Sequence, residues 1–188
     1  DSSESAGANG SGQVLNLVES AEIPTMDSVQ ATDTVAFTAL SNVNEGLYRQ
    51  GLDGTVELGI AAEDPTVSED GLVYTFTIRD EANWSNGEPV TAEDFVYSWR
   101  KLVDPAEAAS YSYMMAGVIA NATEIIDGAV APEELGVKAI DEKTLEITLT
   151  SPVPYFKDLL TLAMFFPQNQ AFVEEQGDQY ALSSDALL

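Results

Sequence analysis

Carboxylates are the only abundant chemical equipment of this sequence. It carries 32 Asp and Glu against 7 Lys and Arg, with neither histidine nor cysteine. Without those two residue types there is no Ser-His-Asp triad, no thiolate nucleophile, no disulfide and no nitrogen or sulfur ligand for a metal. Among the acids, Glu93-Asp94 and Glu133-Glu134 are adjacent pairs, which suit general acid–base work or a cation site in principle. Neighbours on a helix, however, point about 100° apart. Both pairs also fall at expected helix starts, where acids complement the dipole. Asp141-Glu142 belongs to an expected hairpin turn and Asp64-Pro65 to a loop, and no calcium-loop spacing is present. Gly12 and Gly128 are isolated rather than part of a phosphate-cradling loop. Trp84 and Trp99 are possible ligand platforms, but beside a strand and on an apolar helix face they read as core. Asn83-Trp84-Ser85 and Asn121-Ala122-Thr123 fit the glycosylation pattern, which occurs often by chance. No catalytic residue, metal ligand or cofactor site is expected.

The elements that must hold these residues are legible from period and punctuation. Asp1 to Gly12 contain only Ser, Gly, Ala, Asn and acid, which reads as a flexible tether. Val14 to Val18 form an apolar strand candidate. Asp33 is placed to cap a helix through Ala36, Phe37, Leu40 and Val43, ending near Gly46. Two short strands follow around the turn Leu52-Asp53-Gly54-Thr55. In Leu72 to Arg79, Leu72, Tyr74, Phe76 and Ile78 share one face of a half-buried strand. Thr91 and Asp94 have the spacing of a capping box and open a helix with Phe95, Val96, Trp99, Leu102 and Val103 on its inner face, ending at Asp104-Pro105. Helices are expected over Ala106–Ala116, Asn121–Asp127, Tyr155–Leu162 and Gln170–Gln176. Gly136 to Ile140 and Thr144 to Leu149 alternate around Asp141-Glu142-Lys143 as a hairpin, and Ser151-Pro152-Val153-Pro154 is a rigid connector.

At 188 residues, with 45% hydrophobic residues, the chain has enough material for one to one and a half domains with a packed core. No apolar run approaches the length of a membrane helix. The formal charge of −25 repels phosphate backbones and anionic lipid heads, which argues against nucleic-acid or direct membrane binding. It could favour a cationic ligand. Because the acids are scattered along the chain, a solvated acidic surface is the simpler reading. The opening without Met suggests a processed export signal, and the apolar end at Leu187-Leu188 reads as an interruption.

One stretch is specific in its order. Ser68-Glu69-Asp70-Gly71-Leu72-Val73-Tyr74-Thr75-Phe76 leads through Ile78-Arg79 to Trp84-Ser85-Asn86-Gly87-Glu88-Pro89-Val90-Thr91-Ala92-Glu93-Asp94-Phe95-Val96-Tyr97-Ser98-Trp99-Arg100. This resembles the characteristic segment of the family-5 solute-binding proteins of ABC importers. Leu102-Val103-Asp104-Pro105, Leu135-Gly136-Val137-Lys138-Ala139 and Ser151-Pro152-Val153-Pro154-Tyr155-Phe156 continue the likeness toward its oligopeptide-binding branch, from about Gln13 to about Tyr180.

The resemblance implies a mixed α and β fold (α+β) of the periplasmic-binding-protein class with an extra middle domain. After the tether at residues 1–12, residues 13–34 would open lobe I, 35–155 would form the middle domain, and 156–188 would begin the return to lobe I. The rest of lobe I and all of lobe II would lie outside this chain. The implied function is capture of oligopeptides outside the cell and delivery to the transmembrane permease. The protein would be monomeric, periplasmic or at the cell surface, and held to the membrane only by a lipid anchor outside this sequence. Ala21, Glu22 and Ile23 match the family segment that lines the peptide cleft, and Tyr97 is a further candidate. Trp84 would plug the joint between strand and capped helix.

Without the resemblance, Glu22 is a solvated loop acid and Tyr97 a packing residue. Three alternatives are an adhesion or interaction module on the same fold, a binder of nickel, a sugar or a pheromone peptide, and a carboxylate-based hydrolase. The hydrolase is the weakest, because each acid pair has a capping explanation.

Overall fold

A computed structural model describes residue 18 and residues 20–188. The tether and the strand expected at Val14–Val18 lie outside the described residues, apart from exposed Val18. The elements run α1 (Thr34–Val43), β1 (Tyr48–Gln50), β2 (Val56–Leu58), β3 (Thr66–Val67), β4 (Val73–Thr77), α2 (Ala92–Val103), α3 (Ala122–Ile126), β5 (Val137–Ala139), β6 (Thr144–Thr148), α4 (Phe156–Leu159) and α5 (Gln170–Gln176).

The main sheet is antiparallel, in the order β3-β4-β6-β5, with β1 and β2 forming a separate hairpin. Its register puts Tyr74 opposite Ile147 and Phe76 opposite Leu145, while β5 adds Val137 beside Ile147 and Ala139 beside Leu145. Alternation therefore delivers two cross-strand rows to one face. Helix α2 covers that face with Phe95, Val96, Trp99, Leu102 and Val103, all buried in the same core as Phe76, Ile78, Leu145 and Ile147.

The start of α2 follows from its capping box. The Asp94 N–H donates to Thr91 Oγ1 at 3.4 Å, and the Thr91 N–H donates to Asp94 Oδ2 at 2.8 Å. Trp84 lies half-buried against the core in the turn before the helix, and its indole N–H donates to the same Asp94 oxygen at 3.2 Å. The aromatic thus ties turn, cap and core at one point.

Three sequence expectations need correction. Helix α1 stops at Val43 rather than near Gly46, and the Asn44 N–H closes it on the Leu40 carbonyl at 2.8 Å. Gly46 is instead a close approach, where a Cβ would sit 2.8 Å from the Phe166 ring and 3.0 Å from the Leu160 carbonyl.

Residues 106–116 are a series of turns with one 3-10 turn at Ser112–Met114. The Asp104 side chain accepts from the Ala106 N–H at 2.8 Å, and Ala108 adopts φ 50°. These features break the Ala-rich helix so that Ala109 and Met115 reach the core and Tyr111 reaches Phe37.

The expected Tyr155–Leu162 helix shortens to α4, followed by a 3-10 turn at Ala163–Phe165. Every residue from Ala163 to Gln168 is buried, which no single helix face allows. The Ser98 hydroxyl and the Trp99 indole N–H hold the Phe166 and Phe165 carbonyls at 2.7 and 2.9 Å.

Candidate ligand groove

An open groove of about 1410 Å³ runs beside α1 and the β1–β2 hairpin. One wall is the face of α1 carrying Phe37, Ser41 and Asn42, and the opposite wall is the β1–β2 hairpin with Arg49 and Glu57. Tyr111 and Tyr113 form an aromatic shelf beside it, and Met164 and Phe166 from the buried run form an apolar floor.

Local sequence explains each wall. Asp33 caps α1 through its side chain, accepting from the Ala36 N–H at 2.9 Å. The hairpin closes at Asp53-Gly54, where Gly54 has φ 81° and Asp53 accepts from the Thr55 N–H. Phe37 and Tyr111 meet edge-on at 5.7 Å, and Tyr111 stands 6.0 Å from Tyr113.

The groove's charges are mixed rather than uniformly acidic. Arg49 lies between Glu57 at 3.1 Å and Glu45 at 3.6 Å, and Arg79 reaches Glu45 at 2.6 Å. Nothing in this lining forms a nucleophile with an adjacent base, and no group of His, Cys, Asp and Glu among the described residues is arranged to hold a metal ion. Aromatic faces, an apolar floor and a few amide, hydroxyl and charged groups suit non-covalent capture of an elongated ligand of mixed character.

The four residues singled out in the sequence lie elsewhere. Ala21, Glu22 and Ile23 are exposed and outside any helix or strand. Among the described residues, the Met26 N–H bonded to the Ala181 carbonyl at 2.9 Å is the backbone tie that follows them. Tyr97 is half-buried on α2. Its phenol is pushed up to about 12, first by burial and then by the negative charges of Glu174, Glu107 and Asp27. Tyr97 is thus near Asp27, just beyond the 21–23 segment, but neither it nor that segment lines the groove.

Sequence reading missed the groove because its walls come from positions as distant as Phe37 and Phe166. The visible signal was Tyr111 and Tyr113, whose alternation fits no helical face; the helix expected there concealed it.

Asp64 and Asp94 are among the shifted acids that do not line the groove. The Asp64 carboxyl is held below its ordinary value by hydrogen bonds from Lys157 and Tyr48, both at 2.7 Å. The Asp94 carboxyl is raised, mainly by burial.

Comparison with known proteins places the chain in context. Residues 55–186 match the family model described as bacterial extracellular solute-binding proteins, family 5 Middle. A dipeptide-binding protein of Lactococcus lactis is 40% identical over 164 residues, which are 87% of this chain and 30% of that protein. The periplasmic oligopeptide-binding protein OppA of Escherichia coli is 40% identical over 169 residues, covering 89% of this chain and 31% of the relative. Among solved structures, Listeria monocytogenes OppA bound to peptide matches with a TM-score of 0.89 and 49% identity, over 92% of this chain and 34% of that one. The chain spans about a third of the length of these relatives. No helix among the described residues is long and apolar enough to cross a membrane.

Proposed function

This chain belongs to family 5 of the bacterial extracellular solute-binding proteins, and from that premise we propose that it is part of the oligopeptide-capturing component of an ABC importer. The observation that carries the reading is the fold likeness, over 92% of the chain at 49% identity, to an OppA whose structure holds a peptide. Capture needs no chemistry on the ligand, and the groove offers none.

A bound peptide pairs its main chain with an exposed backbone edge, which gives affinity independent of sequence. Wet, roomy surroundings then accept varied side chains, because water bridges what the protein does not touch. Residues 21–23 are exposed and outside regular structure, which suits the backbone role, and Glu22 is available to a cationic group of the ligand. Tyr97 borders the segment that follows. The aromatic shelf of Tyr111 and Tyr113 is the natural resting place for apolar side chains. The protein acts as a monomer outside the cytoplasm, tethered by a lipid anchor or free in the periplasm, and hands its ligand to the permease. It is not an enzyme.

Calorimetry of the full-length protein with mixtures of three- to five-residue peptides tests this reading. Saturable heat with at least one mixture is expected. No heat with any of them overturns the peptide assignment.

A further inference from the structure

One of the chain's seven Lys and Arg residues lies largely inside the fold. The Lys101 side chain is 12% exposed and its partner Asp27 is 9% exposed, whereas the other described ion pairs have side chains 26% to 69% exposed. Lys101 Nζ donates to Asp27 Oδ2 at 2.9 Å and to Gln168 Oε1 at 3.3 Å, and it sits 5.3 Å from the centre of the Tyr180 ring. Gln168 Nε2 in turn donates to Asp27 Oδ1 at 2.7 Å and to Ser28 Oγ at 3.0 Å. The Val29 N–H also donates to Asp27 Oδ1 at 2.9 Å, and the Ala31 N–H to the Asp27 carbonyl at 2.8 Å.

Burying two charges is expensive. A well-packed apolar pair of the same volume is commonly as stable or more so, and the best-attested use of a buried ion pair is to fix a register. The register at stake here joins three distant segments. Asp27 and Ser28 lie on the stretch between the exposed residues 21–23 and α1, Lys101 is in the last turn of α2, and Gln168 and Tyr180 flank α5. The stretch from Thr25 to Asp33 has no helix or strand of its own, so side-chain bonds must set its path. That path also sets where α1, one wall of the groove, begins.

We propose that Lys101 is a positioning residue for ligand capture. Its charge, delivered to Asp27 and oriented by Gln168, holds the 24–31 segment in the one path that presents residues 21–23 and the start of α1 to the ligand. The proposal rests on the solute-binding reading above. Neutralising Lys101 leaves the Asp27 carboxylate buried without its cation, and the cheapest relief is for the segment to lift toward water. Helix α2 keeps its cap and its apolar face in that event, because neither uses Lys101.

The test compares the full-length wild type with Lys101→Met and Lys101→Arg, titrated calorimetrically with trialanine, tetraalanine and trilysine well below the melting temperature. Hydrogen exchange is followed at the Val29, Ala31, Trp99 and Leu102 amides. Lys101→Met should weaken binding about tenfold or more and speed exchange at Val29 and Ala31 but not at Trp99 and Leu102. Lys101→Arg, which restores the charge, should recover affinity to within about threefold of the wild type. A folded Lys101→Met with wild-type affinity overturns the inference, as does a loss of affinity that arginine leaves unrelieved. If Lys101→Met does not fold, Asp27→Asn is read by the same affinity and exchange criteria. A wild type that binds none of the three peptides removes the peptide-capture reading and the inference with it, an outcome distinct from failure of the variants alone.

Discussion

Trp99 is fully buried and its indole N–H donates to the Phe165 carbonyl at 2.9 Å, while its ring meets Phe165 and Phe95 edge-on at 5.6 and 6.3 Å. Trp99→Phe keeps an aromatic in place but removes the donor and part of the ring. The Phe165 carbonyl then loses a buried partner, which costs about 1–3 kcal/mol, and the vacated volume adds about 1–2 kcal/mol at a site that cannot fully collapse. The sum is about 2–5 kcal/mol, a large share of the ~5–15 kcal/mol that stabilises a typical domain. With a urea dependence of ~2 kcal/mol per molar, the middle of the usual range, the midpoint should fall by roughly 1–2.5 M, followed by far-UV circular dichroism because the substitution alters the fluorophore. Ser98 holds the adjacent Phe166 carbonyl at 2.7 Å, so Ser98→Ala and Trp99→Phe act on one strap. Their double-mutant cycle should show a coupling of about 0.5 kcal/mol or more. A loss below ~1 kcal/mol for Trp99→Phe, or strict additivity with Ser98→Ala, would refute the argument that these two donors fasten the 163–168 run to α2.

Three other perturbations are informative. A Cβ at Gly136 would lie 2.8 Å from the Thr148 carbonyl and 2.8 Å from the Ala120 Cβ, so Gly136→Ala should destabilise by about 1–3 kcal/mol through overpacking; an unchanged melting temperature would show that the sheet edge yields freely. The Asp94 carboxyl is raised mainly by burial, with the Glu88 charge adding to the rise, against the hydrogen bonds from Thr91 and Trp84. A raised folded value means that its contribution is full below the ordinary value of ~3.9 and is lost as pH rises through the folded value. Asp94→Asn, permanently neutral and able to accept the same bonds, should therefore gain on the wild type as pH rises above about 4; a stability difference constant with pH would sink the argument. Finally, the charge of −25 predicts a melting temperature that climbs with monovalent salt as self-repulsion is screened, and a flat response would mean that the acids are spaced too far apart to interact.

Wherever the deciding interactions are local, the sequence is a sufficient guide. Thr91 and Asp94 lie three residues apart, and the cap they form starts α2 where their spacing places it. The β5–β6 hairpin follows from alternation around Asp141, which accepts from the Lys143 N–H at 2.9 Å. Residues 106–116 failed as a helix for the opposite reason. Alanine propensity favours helix there by a few tenths of a kcal/mol per residue, but burying Ala109 and Met115 while setting Tyr111 edge-on to Phe37 is worth more, and no short window of sequence contains Phe37. The 155–166 stretch is similar, since its path is dictated by donors on Ser98 and Trp99.

The same division explains why the family was legible and the residues proposed to face the ligand were not. The segment that carries the resemblance, Ser68 to Arg100, is a strand, a turn and a capped helix that pack against β5 and β6, while its turn and cap are tied within the segment. Trp84, Thr91 and Asp94 meet at one carboxylate oxygen. Such a unit takes its constraints from the core and from its own cap, not from a ligand. Ala21, Glu22 and Ile23 have no such constraint, and their exposure gives composition nothing to act on. On the positioning proposal, what sets their place is Asp27, held across 74 residues by Lys101 and across 141 by Gln168. A lone lysine in a helix that already carries its acids at one end and Arg100 and Lys101 at the other reads as dipole compensation. Only the fold, by folding Asp27, Gln168 and Tyr180 around it, turns that surface-like residue into an interior charge. On that proposal the buried polar contacts that run from Lys101 through Asp27 and Gln168 are where the geometry of the exposed edge is decided.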